Sequence, residues 1–115
     1  MGNVTTVQPT NAVEPVADNK PKADYITTDK ITIKPQTTAK TNDVTGSIVN
    51  NNPMDLTVYL VIVYFNKDKS ILYTENIRVD NAVAGQKVYY NDTVIGTDVS
   101  KCDNYTVQVD SMIEK

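Results

Sequence analysis

Hydrophobic and polar positions alternate along most of this chain after Asp24. In YITTDKITIKP, Ile31 and Ile33 fall on one side and Thr32 and Lys34 on the other, the two-residue period of a β-strand. VTGSIVN repeats the pattern with Val44, Gly46 and Ile48. LTVYLVIVYF, Leu56 to Phe65, carries no charge and is rich in β-branched and aromatic residues. It predicts a central strand, its second face covered by the partner sheet, a loop or a neighbouring subunit. It is far short of the roughly 20 apolar residues a membrane helix needs. SILYTENIRV, QKVYYNDTV and YTVQVDSMI predict the later strands. The polar stretches QTTAKTND, NNNP, NKDK, DNAVAG and IGTDVSKCDN are the turns and loops between them, with Gly85 expected at positive φ.

Six or seven short strands, and no amphipathic helix, predict an all-β fold. The expectation is an immunoglobulin-like antiparallel β-sandwich with Greek-key connections; a small barrel is the alternative. Residues 1–24 read differently. Pro9, Pro15 and Pro21 stand among Thr, Asn, Ala and Val without hydrophobic period, which predicts a flexible linker or tether before a domain at 25–115. A short edge strand near Val4–Val7 is the other reading of that segment.

Composition removes several chemistries. The net charge is −3 and lysines are scattered, so no basic patch for nucleic acid is expected. Histidine is absent, and with it the commonest general base and neutral metal ligand. Cys102 has no second thiol for a disulfide or a zinc site. Lys101 beside it could lower its pKa. Ser70–Lys69 and Ser100–Lys101 are sequence neighbours, which a strand would turn to opposite faces. No glycine-rich phosphate loop and no EF-hand spacing occur. No catalytic, cofactor-binding or metal-ligating residue is therefore assigned, and no cofactor is expected. The opening MGNVTTVQPT lacks the basic region and apolar run of a secretory signal. That leaves a mature or truncated chain on one reading and an intracellular one on the other.

Three stretches carry a family likeness. Gly46, Ile48 and Asn50 lie in GSIVNN. Tyr64, Phe65, Asn66, Asp68, Ile71 and Leu72 lie in VYLVIVYFNKDKSIL. Gly85, Val88 and Tyr90 lie in VAGQKVYY. Over residues 43 to 112 this resembles the FxLYD-type immunoglobulin-like domain. Lys69 stands where that family often has glycine, and no literal Phe-x-Leu-Tyr-Asp string is present. The resemblance implies an extracytoplasmic bacterial module, cell-surface or membrane-tethered, often in a lipoprotein behind a flexible tether. A lipidated cysteine upstream of this sequence would go with it. It carries no catalytic residues.

The function expected is that of a non-catalytic module acting by protein contact or as a spacer. The alternative is a pilus- or adhesin-like assembly subunit joined through strand edges. DKITIKP reads as one edge, with Pro35, Lys30 and Lys34 discouraging further pairing. ILYTENIRV reads as the other, with Glu75 and Arg78 exposed. Partner contact is expected at Tyr73, Glu75, Arg78 and Tyr89. Tyr105, in DNY before the last strand, is a candidate tyrosine corner or a cross-strand aromatic.

Overall fold

The computed structural model describes residues 20–115, so the tether and the Val4–Val7 strand expected near the N-terminus lie largely or wholly outside it. Seven strands follow in order: β1 (Ile26–Thr28), β2 (Thr32–Pro35), β3 (Thr41–Asn50), β4 (Leu56–Phe65), β5 (Ile71–Ala82), β6 (Lys87–Ile95) and β7 (Asn104–Glu114). Short 3-10 turns occupy Ala23–Tyr25 and Val99–Lys101. The strands form two antiparallel sheets packed as a β-sandwich. In sheet A, β3 is central, with β6 along one side and β1 and β2 end to end along the other. In sheet B, β4 is central between β5 and β7. The chain crosses between sheets after β3, β5 and β6 and stays in sheet B for the β4–β5 hairpin.

Period-2 patterning explains the layers. On β4, Leu56, Val58, Leu60, Ile62 and Tyr64 are buried between the sheets, opposite Val44 and Ile48 of β3 and Val94 of β6. The other face of β4, expected under the partner sheet, a loop or a neighbouring subunit, does not lie against sheet A. Among the described residues no sheet or loop packs over Thr57, Tyr59, Val61, Val63 and Phe65, which stay half-buried among the flanking side chains of β5 and β7. Arg78 reaches over the Tyr59 ring, its guanidinium carbon 5.9 Å from the centroid.

Buried polar groups hold the ends together. Asn50 is fully buried; its amide donates to the carbonyls of Met54 and Ala82, and its oxygen accepts from the Asn52 N–H. Asn52 in turn exchanges two hydrogen bonds with the backbone of Lys22. NNNP is thus a clamp as well as a turn. The strand in VTGSIVN starts earlier than its hydrophobic residues suggest, at Thr41, because Lys40 makes the turn at φ 58 without a glycine. Gly85 has φ 76, as the turn residues predicted. Lys69 closes the β4–β5 hairpin at φ 72, taking the left-handed conformation that favours glycine.

Candidate functional site

A two-sheet sandwich offers its edges, its outer faces and the groups sealed between the sheets. The four residues expected to meet a partner are distributed over all of these. Arg78 is on the outer face of β5, exposed and ion-paired with Asp80 at 2.5 Å. Tyr89 is on the outer face of sheet A, 77% exposed. Tyr73 turns inward from β5 and is half-buried, its ring 6.4 Å from that of Tyr64. Glu75 corrects the expectation of exposure: it is 3% exposed, directed between the sheets. The strand does form an edge, but its carboxyl faces the core.

Glu75 shares its strand face with Ile77 and Val79, and that parity places it inside. Its Oε1 accepts a 2.6 Å hydrogen bond from the Tyr64 hydroxyl. The carboxyl of Asp92, on β6 of the opposite sheet, faces it from the same inter-sheet layer. Two negative charges facing each other between the sheets repel, which favours the neutral form of Glu75. Burial, then the Asp92 contact, pushes the Glu75 carboxyl up to about 8, against the partial opposition of the Tyr64 bond. Its Oε2 is buried without a hydrogen-bond partner, where a full negative charge would be costly. Around the pair, burial raises the Tyr64 phenol well above its usual range and pushes Tyr90 up to about 12, with Glu75 contributing to both. The Tyr90 hydroxyl is itself buried without a partner. Glu75 is buried and Asp92 half-buried, and neither lines the surface grooves described below.

The two grooves are open and lie away from the carboxyls. One, of about 390 Å³, lies over Gly46 and is walled by Lys30, Thr32, Thr45, Ser47, Tyr89 and Asn91. Another, of about 580 Å³, includes Lys40, Asn66, Thr97, Asp98 and Lys101. Among the described residues, no three acidic or thiol side chains gather as a metal site. Asp68 and Asp98, in turns rich in oxygen ligands, are engaged by the N–H and hydroxyl of Ser70 and Ser100. These bonds hold both carboxyls below the usual carboxylate range. Cys102 is half-buried, and burial followed by Asp103 raises its thiol, the opposite of the lowering expected from Lys101. Tyr105 is not a tyrosine corner. Its hydroxyl accepts from the Ile31 N–H at 3.1 Å, linking β7 to the β1–β2 connection of the other sheet.

The four sheet edges differ in how they discourage further pairing. On one side of the sandwich β5 lies against β6, and each points a carboxyl inward, Glu75 and Asp92. Inward charge on an edge strand is a recognised guard against added strands. On the other side β2 ends in Pro35 and carries Lys34, with Lys30 just before it. β7 faces this side too, and its 11 residues, NYTVQVDSMIE, contain neither proline nor lysine. Sequence reasoning missed β7 as an edge, because strand order cannot be read from local pattern alone.

No helix among the described residues is long and apolar enough to cross a membrane. No protein-family model matches the chain, and no curated protein matches it. Among solved structures, the crystal structure of a DUF1425 family member from Shewanella sp. pv-4 is similar. It is 9% identical, with a TM-score of 0.49, and the match covers 78% of this chain and 81% of that one. The likeness to the FxLYD-type domain thus rests on the motifs quoted for it.

Proposed function

We propose that this chain is a non-catalytic, extracytoplasmic β-sandwich module of a tethered bacterial surface protein or lipoprotein, and that it acts by protein contact along the edges of sheet B. The observation that carries this reading is the open main chain of that sheet. Both flanking strands, β5 with 12 residues and β7 with 11, have an unpaired side among the described residues. Strand addition uses such edges, main-chain hydrogen bonds supplying affinity and alternate side chains specificity. The FxLYD-like motifs support the extracytoplasmic placement, and the Pro-rich start supports the tether. The alternative, an assembly subunit joined through strand edges, is favoured by one feature, the unguarded β7.

The test uses photo-crosslinking residues placed at Arg78 and Gln108, with the full chain expressed in its native host. Adducts are expected in the cell-envelope fraction and should disappear in folded variants with proline at Thr74 (β5) or Thr106 (β7). Adducts that persist in both folded variants would count against edge contact. So would a purely cytoplasmic location, or turnover of a substrate by the purified chain.

A further inference from the structure

β7 is an edge with a self-complementary face, and on that basis we infer that a second copy of this chain pairs with it. This deepens the contact reading by naming the partner. The two β7 strands run antiparallel about a twofold axis at Val107 and join two copies of sheet B into one six-stranded sheet.

Three observations converge on it. First, among the described residues β7 carries no proline, lysine or inward carboxyl, whereas β5 and β6 point carboxyls inward and β2 carries Pro35 and Lys34. Second, its inner face is incompletely covered. Tyr105, Val107 and Val109 are only half-buried, because the strands opposite, β1 and β2, have 3 and 4 residues against the 11 of β7. A paired copy would bury the apolar surface that the short strands leave bare. Third, the sequence matches itself in reverse. About Val107, the inner face sets Val107 against Val107 and Tyr105 against Val109. The outer face sets Thr106 against Gln108 and Asn104 against Asp110. Apolar residues meet apolar, hydrogen-bonding residues meet polar, and no like charges are opposed. A register centred one residue on would place Tyr105 opposite Ser111 and Asn104 opposite Met112, which loses this match. The ladder between β4 and β7 is regular from Asn104 to Val109, and its irregularity comes after that, at Asp110. The central pairs of the register, Tyr105 to Val109, therefore lie on the unbulged part of the strand, and Asp110 marks its irregular end.

The test is sedimentation of the full chain over a range of concentrations, with two charge variants. Thr106→Lys/Gln108→Lys places lysine opposite lysine twice in the proposed register, and Thr106→Glu/Gln108→Glu does the same with glutamate. Both positions are on the outer face, away from the core, and circular dichroism checks that each variant is folded. The wild type is expected to form dimers as concentration rises. Each charge variant alone is expected to weaken the dimer by about tenfold or more. An equimolar mixture of the two should recover a one-to-one heterodimer. A wild type that stays monomeric into the millimolar range overturns the inference, as does a dimer that neither variant weakens. Failure here, with proline-sensitive envelope adducts retained, would leave the contact reading standing with a different partner. Loss of those adducts' proline sensitivity would remove the contact reading itself.

Discussion

Gly46 and Tyr90 face each other in the β3–β6 register, and the phenol ring lies across the glycine. A Cβ at position 46 would fall inside the van der Waals envelope of that ring, so the glycine serves close approach rather than an unusual φ. Gly46→Ala is expected to cost about 1–3 kcal/mol, the usual range for overpacking a filled core, read from urea unfolding. Tyr90→Phe has the opposite sign. The hydroxyl it removes is buried without a partner, so the variant should be neutral or more stable, where loss of a bonded hydroxyl would cost about 1 kcal/mol. Lys69 gives a third case. Its φ of 72 is strained for a residue with a Cβ, and Lys69→Gly should leave the domain as stable or up to about 1 kcal/mol more stable. A loss above about 1 kcal/mol would show that the Lys69 side chain holds the hairpin.

For β4, the strand and its buried face were legible in LTVYLVIVYF, because a ten-residue alternation with β-branched residues leaves little choice. What covers its other face was not legible, since apolar residues on both faces do not say whether a second layer exists. The asymmetry is measurable. Ile62 is fully buried, and Ile62→Ala should cost about 2–5 kcal/mol. Val61→Ala, on the half-buried outer face, should cost clearly less by the same urea assay. Equal costs would mean that something covers the outer face. Glu75 shows a different limit. Carboxylates are almost never fully buried without a partner, so an isolated Glu reads as surface. The parity of Glu75 with Ile77 and Val79, and of Asp92 with Val88, Tyr90 and Val94, was the available signal. It became decisive only once β5 and β6 were placed against each other across the sheets.

The molecule as a whole inherits a pH dependence from that pair. Glu75 titrates near 4.5 when unfolded and near 8 when folded, faced by Tyr64 of β4 and by Asp92 and Tyr90 of β6. Between those values the folded state keeps a proton that the unfolded state has released, so stability falls as pH rises from about 4.5 to about 8 and then levels. Asp29, Asp68 and Asp98 act in the other direction at low pH. Their carboxyls are lowered by hydrogen bonds from Ser47, Ser70 and Ser100, and the stability they add fades as pH drops through their folded values. They face solvent, so Glu75 dominates, and the chain is expected to be most stable in mild acid. Urea midpoints at pH 5 and pH 8 check this, with Glu75→Gln expected to flatten the difference. A wild type as stable at pH 8 as at pH 5 would contradict a raised Glu75 carboxyl.

The sandwich itself was readable from strand spacing; the open side of sheet B was not, because the pairing order that leaves β7 at an edge is set by contacts far apart in sequence. Residue-resolved amide hydrogen exchange, in dilute and in concentrated solution, addresses that edge most directly. The account predicts slowing confined to alternate amides between Asn104 and Val109 as concentration rises, with the edges at β2, β5 and β6 unchanged. Slowing at those other edges, or none in β7 at any concentration, would contradict it.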